Sequence, residues 1–286
     1  MTQSVAIVTG ASSGIGKETA RALLALDWHV IATGRDPERS AVAEADLRSA
    51  GTGRLDFLRA DMALMAETRR IAGEIKGLTT RVDLLFNNAG GVRDARYISA
   101  EGTEETFSAN HLAPFLLTRE LMPLLADTAA RSAPGAVRVL ATSSRGYLMP
   151  RTLNWDDIQH LDGDFAASAV YCEVKLANML FTAELARRVA PLGIAAHALV
   201  PGPVATNFFN HGDKTMRSYA GQADALSPVE VARTVVWMAT APETGLPGGR
   251  AFYEMAELPI EPHGRDPESA ARLWQASADI LATLGL

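Results

Sequence analysis

A glycine-rich turn near the N-terminus limits the fold of this chain more than any other feature. It reads Thr9-Gly10-Ala11-Ser12-Ser13-Gly14-Ile15-Gly16, follows the apolar run Val5–Thr9 and opens a helical stretch. Glycines allow a tight turn, and a helix N-terminus offers free N–H groups with a partial positive charge. The spacing differs from the common G-x-G-x-x-G, yet a turn after the first strand is where a dinucleotide's pyrophosphate binds. The alternative interpretation is a plain tight turn between strand and helix.

Short apolar runs alternate with helical stretches along the rest of the chain. This alternation predicts an α/β fold, a single-domain Rossmann-type doubly wound parallel sheet with helices on both faces, over residues 1–286. The length and the 48% hydrophobic content fit one large domain of this kind. Strands are predicted at Val5–Thr9, His29–Thr33, Leu55–Arg59, Val82–Phe86, Val137–Thr142, Ile194–Val200 and Ala251–Tyr253. Helices are predicted from the glycine turn to Asp27, from Asp36, and at Thr103–Leu125, Tyr171–Val189, Pro228–Thr240 and Pro267–Leu284.

Composition and charge exclude several classes of function. The net charge is −6, from 27 basic and 33 acidic residues without a basic run, so no nucleic-acid partner is expected. The single cysteine, Cys172, cannot form an internal disulfide, and the six histidines show no metal-type spacing. We therefore expect a reducing compartment and no metal. The N-terminus lacks a leader pattern and no apolar run is long, which predicts a cytoplasmic protein without a membrane partner.

The residues that follow the second strand bear on the choice of cofactor. The strand ends at Thr33-Gly34-Arg35-Asp36. An acid here would bind the ribose 2′-hydroxyl of NAD, whereas an arginine would accept the 2′-phosphate of NADP. Gly34 holds the strand-end position, Arg35 follows it, and Asp36 before Pro37 resembles a helix cap. The sequence therefore favours NADP, with NAD as the alternative.

Two further strand ends carry candidate cofactor contacts. Asp61-Met62 follows the third strand, where Asp61 would either accept the adenine amino group or cap a helix. Asn87-Asn88-Ala89-Gly90 ends the fourth strand. Small and amide residues let a cofactor lie against the strand ends, although an ordinary turn uses the same residue types.

The stretch Tyr171-Cys172-Glu173-Val174-Lys175 is the most informative one outside the glycine turn. Tyr171 and Lys175 are four residues apart and share one helix face. A free tyrosine has a pKa near ~10, and a nearby ammonium favours the phenolate and lowers that pKa. A Tyr-x-x-x-Lys pair alone is a weak signal, but here Ser143-Ser144 ends the preceding strand and the glycine turn lies upstream.

In these motifs the sequence resembles the short-chain dehydrogenase/reductase family, over about residues 4–255. The motifs follow the family's order: Thr9–Gly16, Asp61, Asn87–Gly90, Ser143-Ser144, Tyr171-x-x-x-Lys175 and Pro201-Gly202-Pro203-Val204-x-Thr206. A finer resemblance is to the branch of the retinol dehydrogenases and protochlorophyllide reductases. It rests on Gly14–Ala20, Asn110–Thr118 and Tyr171–Phe181, and the C-terminal Arg272-Leu273-Trp274 helix fits as well.

The resemblance implies a role for each site residue. Tyr171 would be the general acid or base, and Lys175 would lower its pKa and hold the nicotinamide ribose. Ser144, the second serine of its pair, would bond the substrate oxygen, and Asn110 would support Lys175 through a water. Cofactor contacts are implied at Gly10, Ser12, Ser13, Gly14, Ile15, Gly16, Arg35, Asp61, Met62, Asn88, Ala89, Gly90, Tyr171, Lys175, Pro201, Gly202, Val204 and Thr206.

Two segments without clear periodicity, about 145–169 and 207–226, are expected to form substrate loops. Their apolar residues predict either a pocket for a lipophilic or aromatic substrate or packing of the loops onto the body. They are Tyr147, Leu148, Met149, Trp155, Phe165, Phe208, Phe209, Met216 and Tyr219. The stripe Leu176, Leu180 and Ala183 predicts either a buried helix face in the core or a subunit interface. The second alternative corresponds to a homodimer or homotetramer.

The resulting hypothesis is an oxidoreductase that moves a hydride between NADP(H) and a small-molecule carbonyl or alcohol. One alternative is a non-catalytic dinucleotide sensor, although such proteins usually lose the Tyr or the Lys that this chain keeps. Another is an isomerase or lyase on the same fold, although such relatives carry a different glycine spacing and a longer substrate region.

Overall fold

Eight strands form one sheet in the computed structural model, which describes residues 3–206, 208–218 and 224–286. The strands are β1 (Val5–Val8), β2 (His29–Gly34), β3 (Leu55–Arg59), β4 (Leu84–Asn87), β5 (Val137–Thr142), β6 (Ile194–Leu199), β7 (Arg250–Tyr253) and β8 (Ala256–Leu258). They lie in the order β3-β2-β1-β4-β5-β6-β7-β8, and every neighbouring pair is parallel except β7 and β8. The predicted doubly wound sheet is confirmed.

Helices connect the parallel strands. They are α1 (Gly14–Ala25), α2 (Pro37–Leu47), α3 (Met65–Leu78), α4 (Glu105–Phe107), α5 (Ala113–Ala129), α6 (Ala167–Val189), α7 (Lys214–Arg217), α8 (Pro228–Thr240) and α9 (Pro267–Thr283). A single π-helical turn, Ser108–Leu112, joins α4 to α5, so the helix predicted at Thr103–Leu125 is interrupted by a wider turn. Among the helices of the described ranges, none is both long and apolar enough to cross a membrane.

Alternate residues of the strands fill two cores, one on each face of the sheet. On β1, Val5 and Ile7 belong to a core that includes buried residues of α3, α5 and α6. Ala6 and Val8 belong to a second core that includes buried residues of α1 and α8. The strand residues are therefore buried on both sides, which is typical of a parallel sheet covered by helices.

Three helices begin at a polar residue followed by proline. The side chains of Asp36, Ser227 and Asp266 each accept the N–H of the residue three positions later, which caps α2, α8 and α9. Proline in the first turn fits because its missing N–H would have no partner inside the helix. The predicted capping role of Asp36 is confirmed.

The C-terminal helix α9 packs against α6, the helix that carries Tyr171 and Lys175. Leu273 on α9 and Leu176 and Leu180 on α6 share one core and are at most 1% exposed. Most of the stripe predicted as core or subunit interface is therefore core, since this chain's own helix covers Leu176 and Leu180.

Candidate active site

A cavity of about 1130 Å³ opens at the carboxyl ends of β1 to β6. Its walls bring the three predicted regions together, the glycine turn, the strand-end residues and the Tyr171–Lys175 pair. Every site residue predicted from the sequence lines the cavity except Gly16, which lies just behind the wall. The predicted set is therefore a spatial cluster and not only a series of motifs.

The glycine turn brings two strand ends into close contact. Gly10 has a φ of +71°, and a Cβ there would lie 2.9 Å from Ala89 Cα, so only glycine fits without strain. A Cβ at Gly16 would overlap the carbonyl oxygen of Gly10. Thr9 Oγ1 accepts the N–H groups of Asn88 and Ala89, both at 2.9 Å, which holds the turn against the end of β4.

The N-terminus of α1 opens onto the same cavity. Ser13 is the N-cap residue, but its side chain makes no capping hydrogen bond to the helix. Ser13, Gly14 and Ile15 line the cavity, so the first N–H groups of the helix adjoin open space there. A cradle without Cβ atoms next to an uncapped helix N-terminus fits the pyrophosphate of a dinucleotide.

Beyond the glycine turn, at the ends of β2 and β3, the cavity is lined by Arg35, Arg39 and Asp61. Arg35 is half-exposed, and its Nη1 lies 3.9 Å from Asp61 Oδ2. Asp36 does not line the cavity, and its Oδ1 accepts the Arg39 N–H at 2.8 Å as the cap of α2. Arg35 and Arg39 therefore line the part of the cavity where the 2′-group of the adenosine ribose is expected to bind.

Asp61 is not the cap of the helix that follows it. Its Oδ1 accepts the Ala63 N–H at 3.0 Å, within the loop before α3. The helix N-terminus is bonded instead by Glu101, whose carboxylate accepts from Met65 N–H at 2.6 Å and Ala66 N–H at 2.9 Å. The cap interpretation of Asp61 is thus wrong, while its place on the cavity wall stands.

Lys175 lies beside the Tyr171 ring on one face of α6. Its Nζ is 5.3 Å from the centre of that ring, as the four-residue spacing predicts. Nζ donates to Asn110 Oδ1 at 3.0 Å and to the Thr142 carbonyl at 3.3 Å. Burial lowers the pKa of Lys175 to about 7, so the amine changes charge near neutral pH. Thr142 was missed by sequence reasoning because it acts through its backbone, which leaves no signal in the residue type.

The pKa of Tyr171 moves in the direction opposite to the one expected. Burial raises it above its ordinary value, because the phenolate loses hydration in the closed wall of the cavity. A hydrogen bond with the Ser144 side chain acts the other way but is the smaller influence. The phenol is therefore protonated at neutral pH in this arrangement.

Asn110 reaches Lys175 from the π-helical turn. Its Nδ2 donates to the carbonyl oxygens of Gly91 and Thr106, both at 2.8 Å, which leaves Oδ1 directed at Lys175 Nζ. A Cβ on Gly90 would overlap Asn110 Oδ1, so the glycine makes room for this amide. Single π turns within α-helices are frequent at functional sites, and this one contains the predicted Asn110.

The two serines after β5 have different partners. Ser143 Oγ is buried and donates to the Lys175 carbonyl at 2.9 Å, which ties β5 to α6. Ser144 Oγ accepts the Gly146 N–H at 3.1 Å and bonds with the Tyr171 side chain. This geometry supports the choice of Ser144 over Ser143 as the serine that acts with Tyr171.

Apolar side chains surround the Tyr171 ring. Val92 and Phe208 line the cavity, and the centre of the Phe208 ring lies 5.3 Å from that of Tyr171. Met216 is buried in the same cluster but does not line the cavity. Phe208 and His211 represent the predicted 207–226 loop on the cavity wall, together with Ala225. Val92 and His211 had no motif that could have identified them in the sequence. The predicted Tyr219 and the side chain of Phe209 lie outside the part of the chain that the structure describes.

Segment 145–169, predicted as a substrate loop, supplies none of the lining residues of this cavity. Tyr147 is buried in the core beneath α9, and its hydroxyl accepts the Glu261 N–H at 3.3 Å. The Trp155 ring lies under the Arg272 guanidinium of α9 at 4.3 Å, and Met149 is exposed. The alternative interpretation, packing onto the body, therefore holds for Tyr147 and Trp155, whereas Leu148 and Met149 are exposed.

The motif after β6 lines the cavity next to the glycine turn, where a Cβ on Gly14 would lie 3.4 Å from Thr206 Cγ2. Pro201, Gly202, Val204 and Thr206 all lie on its wall after β6. Thr206 Oγ1 accepts the Phe208 N–H at 3.3 Å, which joins this motif to the apolar side chains around Tyr171. Within the described residues, no group of three or more His, Cys, Asp or Glu side chains is placed to hold a metal ion.

Comparison with known proteins gives the family of the chain. A sequence profile described as short chain dehydrogenase matches residues 4–153. Retinol dehydrogenase 13 from Homo sapiens is 33% identical over 283 residues, which cover 96% of this chain and 83% of the human protein. Polyprenol dehydrogenase from Mus musculus is 35% identical over 280 residues, which cover 94% and 81% of the two chains. The chain belongs to the short-chain dehydrogenase/reductase family, in its retinol dehydrogenase-like branch.

A solved structure agrees with the fold. The 3-ketoacyl-(acyl-carrier-protein) reductase from Brucella melitensis, complexed with NADH, matches with a TM-score of 0.69 at 22% identity. The match covers 87% of this chain and 96% of that chain. It concerns the arrangement of strands and helices alone.

Proposed function

We propose that this protein is an NADP(H)-dependent oxidoreductase that interconverts a carbonyl and an alcohol on a lipophilic or aromatic substrate. One observation carries the proposal: Tyr171, Lys175, Ser144 and Asn110 meet on one wall of a cavity whose other end is the glycine cradle. The glycine turn, the α1 N-terminus and the motif after β6 would hold the dinucleotide. When bound, the dinucleotide supplies or accepts the hydride.

The proton chemistry falls to Tyr171. Tyr171 is protonated at neutral pH, as the general acid of a carbonyl reduction must be, although the raised pKa by itself makes the phenol a weaker proton donor. The Ser144 hydroxyl accepts from Gly146 N–H and bonds with the Tyr171 side chain, so a substrate oxygen that replaces Tyr171 as its partner would receive the Ser144 proton. Lys175, with a pKa of about 7, can offset the negative charge that Tyr171 gains when its proton leaves.

Arg35 supports NADP as the cofactor. Its guanidinium lines the cavity beside Asp61, while Asp36, the neighbouring acid, is occupied as the cap of α2. A 2′-phosphate needs a cation at this point, and a 2′-hydroxyl needs an acceptor that Asp36 does not offer.

The apolar side chains around Tyr171 support a lipophilic substrate. Val92, Phe208 and Met216 pack around the Tyr171 ring, so the substrate oxygen would meet Tyr171 beside hydrocarbon side chains. The relatives named for retinol and polyprenol act, by their names, on long apolar alcohols. Both observations favour the same chemical class.

The proposal is tested by following NADPH absorbance with purified protein and a panel of carbonyls. The panel contains retinal, an aromatic aldehyde, a cyclic ketone and a polar sugar, and each is measured with NADH as well. We expect the highest kcat/KM with NADPH and the apolar carbonyls. Faster turnover of the sugar would contradict the substrate class, and a preference for NADH would contradict the role of Arg35.

A further inference from the structure

His111 is a buried polar side chain next to Asn110 that the proposed mechanism leaves without a role. It lies in the π-helical turn and is fully buried. Its ring is surrounded by Phe107, Phe115 and Phe181, with ring centres 5.1 to 6.4 Å away. Burial lowers its pKa to about 3, so the imidazole is neutral at pH 7.

The partner of His111 comes from the other end of the chain. His111 Nε2 lies 2.8 Å from Ser277 Oγ, on the fully buried face of α9. Ser277 Oγ donates its own proton to the Leu273 carbonyl at 2.8 Å, so it accepts from Nε2–H. A hydrogen bond between residues 166 positions apart thus joins α9 to the π turn.

One of the two hydrogen-bond acceptors of Lys175 is directly connected to His111. Asn110, which supplies Oδ1, is the preceding residue of the same π turn. The Thr142 carbonyl, the second acceptor, is shared with Asn178 Nδ2–H at 3.0 Å. No hydrogen bond joins Asn178 to His111, whose Nδ1 has no partner among the described residues. Movement of His111 would therefore disturb the Asn110 acceptor.

We propose that Ser277 and His111 are positioning residues, which fix the π turn so that Asn110 Oδ1 stays aligned on Lys175 Nζ. The inference rests on the proposed function only for its consequence in turnover; the alignment itself is a property of the folded chain. The C-terminal helix is accordingly part of the catalytic support.

The test is a titration of Lys175 by NMR. The chain has four lysines, Lys17, Lys76, Lys175 and Lys214, so protein labelled at lysine Cε gives few signals, and a Lys175→Met sample identifies the relevant one. The groups that face Lys175 Nζ are Asn110 Oδ1, the Thr142 carbonyl and the Tyr171 ring, of which Tyr171 is titratable. A misaligned Asn110 Oδ1 stabilises the ammonium less, so Ser277→Ala is expected to lower the Lys175 pKa by about half a unit or more.

Two variants separate positioning from general loss of structure. His111→Phe places a ring of the right kind in the aromatic cluster and is expected to shift the pKa in the same direction. Leu281→Ala removes a fully buried apolar side chain of α9 and is expected to leave the Lys175 pKa unchanged. A Lys175 pKa that is unchanged or raised in Ser277→Ala, or lowered equally in Leu281→Ala, would overturn the proposal.

Turnover measured on the same samples keeps the two proposals apart. A wild-type protein that oxidises no nicotinamide cofactor with any carbonyl would contradict the proposed function, and the titration would still decide the positioning role. If the wild type is active, we expect Ser277→Ala to lower kcat and to leave the KM for the cofactor unchanged.

Discussion

The two ends of the cavity are made from different parts of the chain. At the glycine turn the walls are backbone, and a Cβ at Gly10 or Gly16 would meet the neighbouring strand end or turn. At the other end the wall consists of buried side chains that can ionise, Tyr171 and Lys175, held by amide and carbonyl oxygens. A larger side chain should disturb the glycine-turn end. Removal of a side-chain group, or a change of pH, should disturb the end that contains Tyr171 and Lys175.

The largest effect is expected from removing one oxygen at the side-chain end. Tyr171→Phe keeps the ring against Phe208 but deletes the proton donor, so kcat should fall by about 10²- to 10⁴-fold. Cofactor affinity, measured by fluorescence titration, should not change. Tyr147→Phe is the matched control, since this buried tyrosine lies outside the cavity and should retain activity. Equal turnover in Tyr171→Phe and wild type would remove Tyr171 from the mechanism.

At the glycine turn, the corresponding test replaces a glycine with alanine and so adds a methyl group. Gly16→Ala places a methyl group on the Gly10 carbonyl, and we expect a loss of about 1–3 kcal/mol in the free energy of unfolding together with weaker cofactor binding. Gly73→Ala is the control, because a Cβ there meets nothing within 4 Å inside α3 and should stabilise the helix by about 0.5–1 kcal/mol. Urea denaturation measures both variants. If Gly16→Ala is as stable as wild type, the close approach is not a constraint.

A smaller effect is expected where the cavity reaches the surface. Arg35→Ala should raise the Kd for NADPH about tenfold, toward the low end for a charged hydrogen bond because the side chain is half-exposed. The Kd for NADH should stay the same. Arg54→Ala, an exposed arginine before β3 that pairs with Asp56, serves as the control. Equal weakening of both cofactors would point to a role for Arg35 other than phosphate recognition.

The smallest effect concerns pH and stability. The Lys175 pKa is about 7 in the folded protein and near 10.5 when unfolded, so the unfolded chain binds the extra proton between these values. The contribution of Lys175 to stability therefore rises with pH across that window, by about 1 kcal/mol per unit. Lys175→Met should remove this rise between pH 7.5 and about 9. Lys76→Met, a surface lysine paired with Glu120, should retain it, and parallel curves for all three proteins would contradict the lowered pKa.

Elements with a strong local pattern could be predicted from the sequence. The strands at Leu55–Arg59 and Val137–Thr142 and the helix at Pro228–Thr240 have the bounds that were predicted. Helix α3 was not predicted, because its N-terminus has no local cap and depends on Glu101, more than thirty residues away. Strand β8 was missed as well. It follows a turn in which Glu254 and Met255 adopt positive φ without the usual glycine or asparagine.

Membership of the cavity could be predicted, but the physical state of its groups could not. Strand-end motifs place their residues at the same edge of a parallel sheet, so clustering follows from the order of the motifs. The direction of the Tyr171 pKa depends on how completely the phenol is buried, and burial is a property of the packed chain. Lys175 also contacts a backbone carbonyl and a π turn, and the residue types in the sequence predict neither of these contacts.

Because of the π turn, the direction of the Asn110 side chain depends on the number of residues in the segment between α4 and α5 as well as on their types. A π turn amounts to one extra residue in an α-helix, and each residue turns a helix by about 100°. Deleting one of the other residues of Ser108–Leu112 would restore regular winding and swing Asn110 around the helix axis, away from Lys175 Nζ. Substitutions at neighbouring positions leave this rotation intact. In this segment, an insertion or deletion is therefore a more severe change than a substitution.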